Sequence, residues 1–192
     1  MTEIDRGTLR VMLRERRRAL LPRERMAAAD AIAQTLAPQL AGHGYVAGYW
    51  AIDGELPLHA LLSGTLRFVY CLPVLQSGRR LRFAPWRMGD PLVQNRYGIP
   101  EPDVAPASLL DPAALDVALV PLLGFNRQGV RLGTGGGYYD RSFAFLQHAP
   151  RPSQPRLIGL AYACQEVEGL TAEPWDVRLD AIVTEREWID CR

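Results

Sequence analysis

Apolar residues recur along the chain in two rhythms, and the changes of rhythm mark its elements. Leu9, Leu13 and Leu20 share one face of a helix expected over residues 5–20, in an otherwise charged stretch. Pro22 suits the first turn of a second helix. Met26, Ala29, Ala33, Leu36 and Leu40 continue it at helical spacing until Gly42 and Gly44 end it. The pattern then turns β-like. Residues 45–50 form a short apolar run, 58–62 a short helix, and 68–72 and 81–86 two strands of a hairpin through Ser77-Gly78. Prolines crowd residues 85–112, which read as ordered surface loop. Residues 115–120, 157–162 and 181–184 are further strands. Alternating strands and helices predict an α/β protein: a layered sheet with helices on both faces.

Composition narrows the class. A chain of 192 residues with 48% apolar content suffices for one domain, expected over residues 1–192. The net charge of +1 creates no field that would draw the protein to nucleic acid or membrane. All 22 basic residues are arginine, a bias that genome composition explains as readily as function. Cys71, Cys164 and Cys191 are odd in number and widely spaced, so they form neither a disulfide framework nor a zinc pattern. Reduced thiols point to the cytoplasm. No signal peptide or membrane span is evident. No nucleic-acid or membrane partner is expected, and the protein is expected to act as a monomer.

Candidate chemistry concentrates in Gly129-Val130-Arg131-Leu132-Gly133-Thr134-Gly135-Gly136-Gly137-Tyr138-Tyr139-Asp140-Arg141. Glycines this close together tolerate left-handed backbone and expose consecutive N–H groups, which can form a concavity for a phosphate chain. Apolar, helix-compatible residues follow, so the loop is expected to open a helix whose N-terminus also favours an anion. Asp140 offers a carboxylate to magnesium, while Arg131 and Arg141 offer charge to phosphate oxygens. A Walker loop is excluded because the chain has no lysine, and a dinucleotide fingerprint because Tyr138 stands where the third glycine belongs.

The motif resembles the signature loop of the 5-formyltetrahydrofolate cyclo-ligases, also called 5,10-methenyltetrahydrofolate synthetases. The resemblance extends to Leu119-Val120-Pro121, Gly124-Phe125-Asn126, the arginine-rich first helix, Glu55-Leu56-Pro57, Tyr97-Gly98-Ile99-Pro100-Glu101-Pro102 and Asp176-Val177-Arg178-Leu179-Asp180. It implies a fold like that of ribose-phosphate isomerases and coenzyme A transferases. It also implies an enzyme that uses ATP and magnesium to convert 5-formyltetrahydrofolate to 5,10-methenyltetrahydrofolate, ADP and phosphate.

Residue by residue, the resemblance assigns Arg6, Arg10, Arg131, Leu132, Gly133, Thr134, Gly135, Gly136, Gly137, Tyr138 and Tyr139 to ATP. It assigns Arg10, Trp50, Glu55, Thr134, Gly135, Gly136, Gly137 and Tyr138 to the folate. Arg131 and Arg10 would stabilise the transferring phosphoryl group, and Asp140 and Asp176 would hold magnesium. Several readings stay open on the residues themselves. Trp50 serves a pocket or the core. Asp180 rivals Asp176. One of the adjacent Tyr138 and Tyr139 is expected in the core. Arg14 to Arg18 are a solvated face or part of the site. His43, His59 and His148 are expected to be non-catalytic. A non-catalytic phosphate-binding domain on a similar scaffold is the rival class, and the two aspartates and Glu55 count against it.

Overall fold

The computed structural model describes residues 5–150 and 153–191. Helix α1 (Arg6–Ala19) follows Asp5, whose carboxylate accepts the N–H groups of Gly7 (2.7 Å) and Thr8 (3.2 Å). Two otherwise orphaned donors are thereby satisfied. Helix α2 (Pro22–Leu40) opens on Pro22, and the Glu24 side chain reaches back to the Leu21 N–H at 2.7 Å. Ala28, Ala29, Ile32, Leu36 and Leu40 form its buried stripe. Met26, expected on that stripe, is 57% exposed. At 100° per residue it lies about 120° around the helix from Ile32.

The strands follow in order: β1 (Tyr45–Ala47), then helix α3 (His59–Leu62), β2 (Val69–Gln76), β3 (Arg80–Pro85), β4 (Leu92–Gln94), β5 (Pro100–Pro102) and β6 (Val117–Pro121). After these come β7 (Gly124–Phe125), β8 (Arg131–Leu132), helix α4 (Tyr138–Ser142), β9 (Arg156–Leu160), β10 (Ala181–Val183) and β11 (Trp188–Asp190). One seven-stranded sheet runs in the order β11-β10-β9-β6-β1-β2-β3. Its five central strands are parallel, and β3 and β11 close the edges antiparallel. Val46 of β1 sits opposite both Tyr70 of β2 and Val117 of β6. These strands are apolar on both faces, as a covered parallel sheet requires.

Helix α2 covers one face, packing Ile32, Leu36 and Leu40 with Val46, Leu72, Leu119 and Ile158. The other face departs from the expected helical layer. There Ala47, Ala118, Val120 and Ile182 are covered by Phe143 and Leu146, which follow α4, and by Val177 and Leu179 of the C-terminal loop. Helix α1 lies on neither face. Leu9 and Leu13 pack with Val130, Leu132 and Leu170 in a small separate core beside the β7–β8 ribbon.

Three features differ from the sequence pattern. The proline-rich stretch contains the β4–β5 ribbon, since a two-stranded edge ribbon does not need every N–H and tolerates Pro100 and Pro102. The β7–β8 ribbon and β11 are too short to show a rhythm. Among the described residues no helix is long and apolar enough to cross a membrane.

Gly124 makes room for α1, because a Cβ there would lie 2.6 Å from Leu13 Cδ1. Gly124→Ala should therefore destabilise the fold by about 1–3 kcal/mol through overpacking. Leu13→Val in the same chain should recover part of the loss. Additive melting shifts in that double-mutant cycle would show that the two positions do not meet.

Candidate active site

The carboxyl ends of the parallel strands share one side of the sheet. The chain leaves β1 toward β2 and leaves β6 toward β9, in opposite directions across the sheet. A crevice is expected at such a switch point, and a cleft of about 880 Å³ occupies it. Tyr49 and Trp50 follow β1 into the cleft, Pro121 and Leu122 follow β6, and Pro73 and Leu75 come from β2.

The glycine loop forms another wall. Asn126 fixes its approach: its Oδ1 accepts the N–H groups of Gln128 and Val130, both at 3.0 Å, and its Nδ2 donates to the Leu170 carbonyl at 2.7 Å. This turn sets β8, which delivers Arg131 to the cleft and Leu132 to the small core. Gly133, Thr134, Gly135, Gly136 and Gly137 all line the cleft, and Gly135 (φ 105°) and Gly137 (φ 68°) hold left-handed backbone. Arg10 Nε donates to the Gly133 carbonyl at 2.9 Å, and Arg141 Nη1 to that of Gly136 at 2.9 Å. The helix that follows, α4, has only five residues. Its axial dipole is thus weaker than that of the helix expected there.

Two carboxylates face this wall, each paired with an arginine. Asp140 Oδ1 lies 2.5 Å from Arg131 Nη2 and accepts the Val177 N–H at 3.2 Å. Arg131, only 6% exposed, also donates to the Val177 carbonyl. Asp176 Oδ2 lies 2.6 Å from Arg6 Nη2 and accepts the Glu173 N–H at 3.0 Å. Asp180, the rival of Asp176, instead accepts the Leu157 N–H at 2.7 Å and supports β9. Among the described residues no three His, Cys, Asp or Glu side chains cluster as a metal cage. Two carboxylates beside a glycine loop would still suit magnesium, which commonly takes few protein ligands and several phosphate or water oxygens. The arginine and backbone bonds fall on one oxygen of each aspartate, so the second oxygen of each can face a cation.

The opposite wall carries Trp50, Glu55 and their turn. Trp50 is 38% exposed and meets Trp86 edge-to-face with ring centroids 6.1 Å apart, so it serves pocket and core together. Glu55 Oε2 accepts the Ile52 N–H at 3.1 Å. Burial pushes its carboxyl above the ordinary value, while that hydrogen bond and the Arg17 guanidinium oppose the rise.

The tyrosine pair does not divide between core and cleft: both are half-buried, both pack against the sheet core and both line the cleft, and they differ in their partners. Tyr139 stacks on Phe143, and burial pushes its phenol up. The Tyr138 hydroxyl lies 2.9 Å from that of Tyr97 and accepts from Arg96 Nη2 at 2.5 Å. These hydrogen bonds, that of Tyr97 first, hold the Tyr138 phenol below the ordinary value.

The cleft also has lining residues that the pattern left unassigned: Asn95, Tyr97 and Ile99 of the β4–β5 turn, Trp175, and Arg14 and Arg17 of α1. The Tyr97-Gly98-Ile99-Pro100 segment was visible, but only the folded ribbon brings it over the cleft. Leu132 is fully buried in the small core, its carbonyl accepts the Leu123 N–H at 2.8 Å, and it does not line the cleft, so the ligand role expected of it is not supported. His43, His59 and His148 do not line the cleft.

A glycine loop and an aromatic, acidic pocket thus share one cleft, an arrangement suited to an enzyme. The chain belongs to the 5-formyltetrahydrofolate cyclo-ligase family, whose pattern matches residues 2–185. It is 39% identical over 181 residues to the 5-formyltetrahydrofolate cyclo-ligase of Escherichia coli, covering 90% of this chain and 96% of that one. To the Mycolicibacterium smegmatis enzyme of the same name it is 30% identical, covering 98% of both. The solved structure of Aquifex aeolicus 5,10-methenyltetrahydrofolate synthetase superposes with a TM-score of 0.80 at 27% identity, covering 97% of this chain and 93% of that one. The Mycoplasma pneumoniae synthetase superposes with a TM-score of 0.73 at 27% identity, covering 95% and 99%.

The loop glycines differ in what they tolerate. A Cβ on Gly133 meets nothing within 4 Å, whereas Gly135 is held at φ 105°. Gly135→Val should cost about 1–2 kcal/mol of stability through left-handed strain, while Gly133→Ala should melt like the parent. Equal melting temperatures for all three proteins would show that the loop relaxes freely.

Proposed function

We propose how this chain carries out the reaction of its family, the ATP-dependent conversion of 5-formyltetrahydrofolate to 5,10-methenyltetrahydrofolate with release of ADP and phosphate. The observation that carries the proposal is that the glycine loop, Asp140, Asp176, Trp50 and Glu55 all face one cleft. ATP would lie with its phosphates along residues 133–137, next to Arg10 and Arg131. The folate would lie with its pterin ring between Trp50 and Tyr138, and the Glu55 carboxylate would accept hydrogen bonds from the ring and amino N–H groups.

The formyl oxygen is a poor leaving group. It attacks the γ-phosphorus, and ADP departs. Nitrogen 10 then attacks the formyl carbon and loses its proton to solvent. Phosphate leaves with the former formyl oxygen as the ring closes. The protein's task is to align the formyl oxygen with the γ-phosphorus and to stabilise charge as it transfers. Arg131 suits this because Asp140 and the Val177 carbonyl already orient it. Arg10 is anchored through Nε on the Gly133 carbonyl and presents its remaining N–H groups. Arg6 lines the cleft with its guanidinium held by Asp176 at 2.6 Å and by Glu173 at 3.7 Å, which would orient it toward a phosphate.

Magnesium, held by Asp140 and Asp176, would neutralise the charge of the transferring phosphates. We read the whole chain as one cyclo-ligase domain acting as a monomer, because a single copy supplies both walls of the cleft. The parallel sheet with a site at its carboxyl ends supports kinship with the ribose-phosphate isomerase and coenzyme A transferase folds. Three free cysteines suit the cytoplasm.

The methenyl product absorbs in the near ultraviolet, so turnover is read directly. Absorbance should rise only when both ATP and 5-formyltetrahydrofolate are present. A rise without ATP, or none with both, would overturn the assignment. Asp140→Asn should lower turnover at least tenfold at limiting magnesium, and wild-type rates there would remove Asp140 from the metal site. Glu55→Gln should weaken folate binding more than ATP binding in calorimetric titrations. An equal loss for both would move Glu55 out of the pterin pocket.

A further inference from the structure

The arginine stripe of α1 contains a residue with no surface role. Leu9, Leu13 and Arg17 are the buried positions of the helix, four residues apart, and Arg17 is 1% exposed. Its Nη2 donates to the Asp53 carbonyl at 2.7 Å and lies 3.4 Å from Asp53 Oδ2. Its Nε and Nη1 are buried without a partner, and Arg17 lines the cleft. A desolvated guanidinium with idle donors is costly, and such exceptions call for a purpose.

Its surroundings supply one. Asp53 (φ 49°) and Gly54 (φ 77°) form a tight left-handed turn that carries Glu55. Arg14 Nε (3.0 Å) and Arg18 Nη2 (2.6 Å) grip the Asp53 carboxylate from the exposed side. A Cβ on Gly54 would come within 3.1 Å of Arg25 Nη1, so that side chain packs under the turn. Tyr49 from the end of β1 and Tyr139 from α4 face Glu55, and Asp53 stands on its own turn. Among the described residues Arg17 pairs directly with Asp53 and not with Glu55. Its charge therefore reaches Glu55 only across the turn, where it opposes the rise that burial imposes on that carboxyl.

We infer that Arg17 is a positioning residue for the folate: its buried guanidinium holds the 52–55 turn from beneath through the Asp53 carbonyl and sets a fixed positive charge behind the Glu55 side chain that this turn presents to the cleft. The inference rests on reading Glu55 as the pterin ligand. An ionised carboxylate can accept two parallel hydrogen bonds from a pterin edge, whereas a protonated one presents a donor there. Burial alone drives Glu55 toward the protonated form. Arg17 opposes that drive from beneath the turn, and Arg14 and Arg18 keep the turn seated upon it.

Carbon-13 NMR of glutamate-labelled protein follows the Glu55 carboxyl through a pH titration, its signal assigned by loss in Glu55→Gln. In the parent Glu55 should be ionised at pH 7. Arg17→Met should raise its midpoint by at least one pH unit and weaken 5-formyltetrahydrofolate binding tenfold or more at pH 7. That affinity should return at pH 8.5, and ATP affinity should change less than twofold. Arg17→Lys should behave like the parent.

An unchanged midpoint in Arg17→Met would overturn the proposal. So would loss of both ligands with no recovery at high pH, as a merely structural residue would give. If Arg17→Met does not fold, the parent still decides: a Glu55 that is neutral at pH 7 overturns the proposal. Unchanged folate affinity in Glu55→Gln would overturn the pterin assignment and with it the folate half of this inference, even if the midpoint shifts in Arg17→Met.

Discussion

The cleft depends on the seating of α1 against the β7–β8 ribbon through Leu9 and Leu13. The helix has almost no apolar surface of its own: beyond those two leucines its buried position is an arginine. Burying Leu13 and most of Leu9 contributes about 1.5–3 kcal/mol per side chain, enough to fix the register of a helix whose remaining faces are polar. Because α1 docks there and not on the sheet, its arginines reach three separate parts of the site. Arg6 meets Asp176, Arg10 meets the Gly133 carbonyl, and Arg17 reaches beneath Asp53. Gly124 belongs to this contact as much as the leucines do, since its missing side chain is the space Leu13 occupies.

The second organising feature is charge held in balance. Arg131 with Asp140 and Arg6 with Asp176 are close pairs beside the glycine loop, and Arg14, Arg17 and Arg18 gather on Asp53 at the turn that carries Glu55. Partly buried pairs of this kind add little to stability, because desolvation offsets attraction. Their value lies in keeping strong charges oriented before a ligand arrives, so that little reorganisation is needed when charge moves. Arg131 illustrates this: one amino group is committed to Asp140 and the other to the Val177 carbonyl, which locks the plane of the guanidinium.

Much of this architecture is legible in the residue order. Helical spacing located α1 and α2 within a residue or so, and apolar runs located β1, β2, β6, β9 and β10. The glycine loop announced itself, because only glycine accepts the backbone observed at Gly135 and Gly137 without strain. Tyr138 and Tyr139, expected to split between cleft and core, both take part in each, and only their partners differ, Tyr97 and Arg96 for one and Phe143 for the other. Other elements were not legible. The two-residue strands of the β7–β8 ribbon are too short for a rhythm, and β4–β5 hides among prolines. Met26 appeared apolar and periodic, yet it falls outside the arc that α2 buries.

The sequence by itself determined the class of fold, the position of the glycine loop and the acidic and aromatic residues available to chemistry. Each of those rests on local spacing, backbone permissiveness or side-chain identity. Only the tertiary structure decided which arginines are surface and which are site. Arg14, Arg17 and Arg18 read alike along the helix, but one is buried beneath the Glu55 turn while the others grip Asp53 from outside. It likewise separated Asp176, which faces the cleft, from Asp180, which supports β9, and took Leu132 out of the ligand space. These choices turn on contacts between residues far apart in the chain. Burial and charge pairing arise when the chain folds back on itself, and no local pattern encodes them.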